Sequence, residues 1–122
     1  MGLMGFILIT MSVQAQLLAP EQYPEGTCEL AAKEYQKVSG GDLIFVQPLK
    51  EDGSFDLGDY KGTWMNKAWD KSRGTYYINY PDKSYFNRTQ DIVAYYKSFA
   101  KKDVVVYNLN EVHPPFSIIW HY

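Results

Sequence analysis

A chain of 122 residues with a net charge of −2 has the length of one domain and is long enough to bury a core without disulfides. Its 12 basic and 14 acidic residues give no general electrostatic case for nucleic acid or for an anionic membrane as a partner. Aromatic residues make up 16% of the chain, with 11 tyrosines, which favours β-structure or an aromatic-lined surface.

An apolar run near the start of the chain, from Gly5 to Val13, leads into Val13-Gln14-Ala15, which resembles a small-x-small cleavage site. This pattern predicts a signal peptide over residues 1–15 and a secreted or periplasmic protein. No basic residue precedes the run, so a buried N-terminal segment is the alternative. The run is shorter than the roughly 20 apolar residues that a spanning helix needs, which predicts no stable membrane span.

The first predicted helix follows an N-terminal arm over residues 16–26, which contains two prolines. The helix is predicted from Thr27, its N-cap, to Val38, and the Gly40-Gly41 pair is expected to end it. Side chains at helical spacing would form its apolar face: Ala31, Tyr35 and Val38.

Three strands are predicted to follow this helix. The first runs from Asp42 to Gln47 and ends at Pro48. The second and third, Lys61 to Trp69 and Thr75 to Tyr80, are joined by the turn-rich residues 70–74, which predicts a hairpin.

A second helix is predicted from Thr89, its N-cap, to Lys101. Its apolar stripe would consist of Ile92, Tyr95, Tyr96 and Phe99. Strands are predicted from Val104 to Tyr107 and from Phe116 to Trp120. The order α-β-β-β-α-β-β indicates that residues 27–122 form a single α+β domain, with a small, mainly antiparallel sheet and two helices packed on it.

The only cysteine, Cys28, lies in the first turn of the first predicted helix. Unpaired backbone N–H groups and the positive end of the helix dipole favour the thiolate there, which is the reactive form. The alternatives for Cys28 are a nucleophile, an intermolecular disulfide and a buried core residue, the last being the commonest across proteins. A nucleophile needs a base, and the candidates are His113 and His121.

The segments from Gly62 to Trp69 and from Thr75 to Pro81 follow Cys28 as a Trp-bearing strand and its hairpin partner. This arrangement resembles the transglutaminase-like and papain-like cysteine peptidase superfamily over residues 24–82. That family places a Cys at a helix start, then a His near a Trp on a strand, then an Asp on the next strand. The resemblance implies a transglutaminase-like/papain-like fold and a cysteine amide hydrolase or acyl transferase, acting on peptides or cell-wall peptides.

Two positions depart from the family's pattern. Thr63 stands where the His is expected, and Asn79 stands where the Asp is expected. The resemblance then implies Cys28 as the nucleophile, His113 or His121 as a base from a C-terminal strand, and Asn79 as the group that orients it. The alternative is a domain of the same fold that binds without catalysis.

The predicted hairpin also concentrates aromatic side chains: Trp64, Trp69, Tyr76, Tyr77 and Tyr80. Several of them facing solvent would bind a protein or glycan partner, whereas alternation would place some in the core and others over the sheet. Gly62-Thr63-Trp64 also resembles the Gly-x-Trp entry strand of lipocalins. Too few residues follow it to complete an eight-stranded barrel.

The remaining motifs carry little chemistry. No ligand spacing typical of a zinc or calcium site occurs, and no glycine-rich phosphate loop follows a strand, so we predict no metal site and no cofactor. Asn87-Arg88-Thr89 is a formal glycosylation sequon, and the predicted start of the second helix is an alternative reason for its threonine.

Overall fold

A computed structural model of the chain describes residues 27–79, 85–118 and 121–122. The signal peptide and arm predicted over residues 1–26, and Tyr80 of the aromatic group, lie outside these ranges. Within them are two helices and five strands. In chain order they are α1 (Cys28–Ser39), β1 (Asp42–Pro48), β2 (Thr63–Asp70), β3 (Gly74–Asn79), β4 (Tyr85–Phe86), α2 (Thr89–Phe99) and β5 (Val104–Asn108).

The five strands form one antiparallel sheet in the order β4-β3-β2-β1-β5. The hairpin predicted between β2 and β3 is confirmed. Its turn is fixed by Asp70, whose Oδ1 accepts hydrogen bonds from the backbone N–H groups of Ser72 (2.8 Å) and Arg73 (2.6 Å). Gly74 closes the turn with a φ of 73°, a conformation that glycine adopts without steric penalty.

The sheet has a core cluster on each of its faces. Successive side chains of a strand point to opposite sides, so the same strands supply residues to both clusters. One core cluster contains Cys28, Ala31, Ala32, Phe45, Trp64 and Ile78. The other contains Ile44, Val46, Met65, Tyr77, Phe86, Ile92 and Val104. Helix α1 therefore covers one face, called here the α1 face, and α2 covers the opposite one, the α2 face. The predicted α+β class, with an antiparallel sheet and two helices, is confirmed.

Helix α1 packs closely on the sheet through small residues. Ala31 and Ala32 are fully buried, and the carbonyl of Ala32 accepts a hydrogen bond from the Asn66 side chain on β2 (2.9 Å). The predicted helix ends are confirmed to within one residue, and Gly40 ends the helix by donating its N–H to the Gln36 carbonyl. The placement of Val38 on the apolar face is wrong, since this side chain lies at the last turn and is exposed.

Helix α2 begins at Thr89 with Arg88 in the N-cap position, so the prediction of Thr89 as the cap is wrong. Its buried contact is made by Ile92. Phe99 is 78% exposed rather than part of the core, and its ring stacks on Tyr95 at 4.9 Å.

The C-terminal part of the chain differs from the predicted strand at 116–120. Residues 116–118 are not in a strand, and residues 119–120 lie outside the described ranges. Phe116 instead packs as part of an irregular segment against Phe55 (4.8 Å between ring centroids) and Phe45 (6.3 Å). The short strand β4 was not predicted, because two residues are too few for a recognisable alternation pattern.

The long connection between β1 and β2 is anchored by the buried carboxylate of Asp56. Its Oδ1 accepts hydrogen bonds from the backbone N–H groups of Gly58, Asp59 and Tyr60, and its Oδ2 lies 3.3 Å from Lys102 Nζ. Burial acts to raise the pKa of Asp56, but these donors outweigh it and hold the pKa below its usual range. This anchor positions the chain that leads into Gly62 and β2.

Replacing Ile92 with alanine tests the assignment of the α2 face as a second core. Ile92 is fully buried, so Ile92→Ala should lower the free energy of unfolding by about 2–5 kcal/mol in chemical denaturation. The matched control is Leu30→Ala on the exposed side of α1, which should change it by less than about 0.5 kcal/mol. Similar losses for both variants would contradict a core beneath α2.

Candidate functional site

Cys28 is the first residue of α1 and is only 1% exposed. Its thiol donates a hydrogen bond to the backbone oxygen of Tyr122, and the backbone N–H of Trp64 approaches its sulfur at 3.5 Å. The cysteine is thus enclosed between the start of the helix, strand β2 and the segment 121–122.

Burial is the largest influence on this thiol. Desolvation raises the pKa of Cys28, the backbone N–H groups of Trp64 and Glu29 lower it, and the net value is about 11. A position at a helix start predicted a stabilised thiolate. In the folded domain the desolvation is larger than the helix effect, so the thiol is protonated at neutral pH.

His121 lies beside Cys28 without bonding to it. Its backbone forms a parallel bridge to Gly62, and the N–H of Tyr122 donates to the Gly62 carbonyl (3.0 Å). The imidazole Nε2 is 3.2 Å from Glu29 Oε1, and its Nδ1 is 2.7 Å from the Tyr122 backbone oxygen. Among the described residues, no histidine nitrogen is hydrogen-bonded to the Cys28 sulfur.

The other two residues proposed for catalysis are not brought to Cys28. Asn79 pairs with Met65 and therefore lies on the α2 face, whereas Cys28 belongs to the α1 face. His113 is exposed in the segment after β5, where it borders a cavity of about 310 Å³ together with Leu109 and Ile118. The structure therefore places only His121, of the predicted partners, in the neighbourhood of the thiol.

The aromatic side chains of the hairpin are divided between core and surface. Trp64 and Tyr77 are buried on opposite faces of the sheet. Tyr76 is half-buried, and the Arg73 guanidinium lies 5.6 Å from its ring centroid. Trp69 is 69% exposed, and no other ring or cation of the described residues contacts its indole.

The end of the hairpin extends beyond the neighbouring strand. Pairing between β1 and β2 stops at Asp42 and Lys67, so the last residues of β2, including Trp69, have a strand partner only in β3. A cleft of about 270 Å³ lies where β2 extends past the start of β1. Its lining includes Ser39, Asp42, Lys67, Trp69 and Thr75. This region, residues 67–75 with the adjoining cleft, is called the hairpin tip below.

Gly41 is the residue that lets the chain pass from α1 into β1 at this cleft. Its φ is 86°, and a Cβ at this position would collide with the backbone carbonyl of Lys67. Only glycine fits such a conformation at such a close approach. In the sequence, the Gly40-Gly41 pair predicts the end of the helix but not this close approach to Lys67.

Comparison with known proteins gives no assignment: no family model matches the chain, and no curated protein or solved structure is significantly similar to it. Within residues 27–79, 85–118 and 121–122, no helix is long and apolar enough to cross a membrane. No group of three or more His, Cys, Asp or Glu side chains in the same ranges is arranged to hold a metal ion.

The raised pKa and the enclosure of Cys28 predict slow alkylation. A thiol with a pKa of about 11 is ~0.1% thiolate at pH 8, so labelling with iodoacetamide should be at least about 100-fold slower than for a free thiol. Unfolding in denaturant should restore the ordinary rate. Fast labelling of the folded protein, slowed by His121→Ala, would contradict this description of the site.

The same thiol should make stability depend on alkaline pH. The folded state holds the Cys28 proton up to a pKa of about 11, whereas the unfolded chain releases it near pH 8.5. The stabilisation is complete below about pH 8.5 and is lost as pH rises toward 11, by on the order of 2–3 kcal/mol. Denaturation of Cys28→Ala in the same buffers provides the reference, and an identical pH slope in both proteins would disprove the shift.

Proposed function

We propose that this domain is a catalytically inactive binding module that acts outside the cytoplasm and contacts a protein or glycan partner through the hairpin tip. The observation that carries the proposal is the exposed, uncontacted indole of Trp69. Tryptophan is among the residues that contribute most to binding when they become buried in an interface. The apolar segment from Gly5 to Val13 is the reason for expecting an extracellular or periplasmic location.

The hairpin tip is held rigidly enough to act as a binding surface. Asp70 fixes the turn through its bonds to Ser72 and Arg73, and the Arg73 guanidinium lies 4.1 Å from the ring centroid of Tyr85 on β4. Tyr76 adds a second ring contact to Tyr85 at 6.0 Å. Because these contacts exist without a partner, binding at the hairpin tip would lose little backbone entropy, and the main ordering cost would be that of the Trp69 side chain.

The enclosed cysteine also supports a module without turnover. Cys28 belongs to the core cluster on the α1 face, and Asn79 lies on the opposite face. A cysteine nucleophile needs an adjacent base and access to substrate. His121 lies near the sulfur but bonds to the Tyr122 oxygen instead, and Cys28 is only 1% exposed, whereas the exposed aromatic surface needs no rearrangement.

Trp69→Ala should strongly weaken partner binding while leaving the fold intact. Fluorescently labelled protein would be tested on arrays of extracellular proteins and glycans, and a positive hit would be measured by calorimetry. We expect Trp69→Ala to weaken binding by about 2 kcal/mol or more with an unchanged melting temperature. Phe99→Ala removes a still more exposed aromatic side chain from α2 and should bind as the wild type does. Equal affinity for wild type and Trp69→Ala would refute the proposal.

Cysteine-dependent amide chemistry is a second candidate, favoured by the contact between His121 and Glu29. In this arrangement Cys28 would be the nucleophile, His121 its base and Glu29 the group that orients the imidazole. The Cys28 thiol donates a hydrogen bond to the Tyr122 oxygen, and this bond would first have to break. Rapid alkylation of the folded protein that depends on His121 would favour this candidate over the binding module.

A further inference from the structure

The hairpin tip carries more positive than negative charge. Between residues 67 and 73 there are three cations, Lys67, Lys71 and Arg73, and one carboxylate, Asp70. None of the three cations forms a salt bridge with any residue in the described ranges. The ion pairs found there use Lys33, Arg88, Lys97, Lys102 and His121 instead. This is unexpected in a chain whose net charge is −2.

Two carboxylates, Asp42 and Asp70, lie near these three cations, and both also accept hydrogen bonds from other groups. Asp42 stands opposite Lys67 in the strand register, but its Oδ2 accepts a hydrogen bond from Asn108 at 2.9 Å and makes no salt bridge to the lysine. Asp70 Oδ1 is used by the turn, where it accepts from the N–H and hydroxyl of Ser72. Lys67 thus makes no salt bridge within the described residues, and its ammonium lies 6.0 Å from the Tyr77 ring centroid. Asp42 keeps its negative charge beside it, so the three cations of the hairpin tip outnumber its two carboxylates.

Lys67 and Trp69 are two residues apart in β2 and therefore lie on the same face of the strand. One ligand can contact both the ammonium and the exposed indole. Ser39 and Thr75, which carry hydroxyl groups, are also among the residues that line the cleft. A flat indole presents a negative face that attracts C–H groups of a sugar ring. Hydroxyls and an ammonium can satisfy the hydroxyl and acidic substituents around the same ring.

We propose that the hairpin tip binds an acidic oligosaccharide, with one pyranose ring stacked on Trp69 and its carboxylate or sulfate group directed to Lys67. The proposal rests on the binding function assigned to this surface and names its ligand class. A peptide partner fits less well, because the anchor residues of protein interfaces insert into apolar pockets, and the cleft beside Trp69 is lined largely by polar and charged side chains.

The test measures binding of the intact protein to three oligosaccharides of equal length by calorimetry. These are a sulfated heparin octasaccharide, an unsulfated oligogalacturonate and neutral maltooctaose, which separate sulfate, carboxylate and uncharged sugar. We expect at least one acidic oligosaccharide to bind about tenfold or more tightly than maltooctaose. Its affinity should fall as salt rises from 50 to 500 mM, because a Lys–anion contact is screened.

Variants then locate the contact. Trp69→Ala should weaken binding of the acidic oligosaccharide at least about tenfold, whereas Trp69→Phe should retain most of it because an aromatic face remains. Lys67→Gln should weaken it several-fold. Lys50→Gln removes an exposed lysine in the turn after β1, at the other end of the sheet, and should have no effect. Thermal unfolding of each variant confirms that it is folded.

Four results would overturn the inference. Equal affinity for maltooctaose and the acidic oligosaccharides would remove the role of charge, and equal losses for Lys67→Gln and Lys50→Gln would remove the role of this site. Binding to a protein partner that needs Trp69, with no binding to any oligosaccharide, would refute the ligand class and leave the binding function standing. Absence of all Trp69-dependent binding would refute both.

Discussion

The sheet has two apolar faces, and the need to cover both of them determines the rest of the structure. Over residues 44–48 of β1 and 63–66 of β2, neighbouring residues point in opposite directions and are all buried, as with Phe45 beside Ile44 and Trp64 beside Met65. One helix can cover only one side of a sheet. Two helices are therefore required, and the small residues of α1 and the single buried isoleucine of α2 are the means by which each one packs.

The covering of both faces by helices also determines the environment of the candidate catalytic residues. Cys28 starts the helix that covers the α1 face, so its side chain enters the core and loses solvation, which explains why its pKa rises although it stands at a helix start. Asn79 lies on β3, the strand next to β2, but on the other face. The sheet itself separates the two groups, and neither can reach the other without disrupting the core.

Periodicity in the sequence was sufficient to predict both helices, the hairpin and the α+β class, because each depends on local patterns. It failed where the environment is set by distant parts of the chain. Val38 and Phe99 fit the helical stripes, yet both lie at helix ends where the sheet no longer lies beneath them. Strand alternation could predict that Trp64 and Trp69 face opposite sides. It could not predict that the sheet is uncovered around Trp69.

The exposure of Trp69 differs in kind from the other large exposed side chains. Phe99 is more exposed, but its ring stacks on Tyr95, so the helix itself gives a structural reason for it. Trp69 lies where β2 and β3 extend past β1, and within the described residues no ring or cation covers it. The cations around it also form no salt bridge within those residues, and they outnumber the nearby carboxylates. An exposed apolar surface and an excess of positive charge in the same place contribute little to folding, and both would gain from a ligand that presents a sugar face and an acidic group.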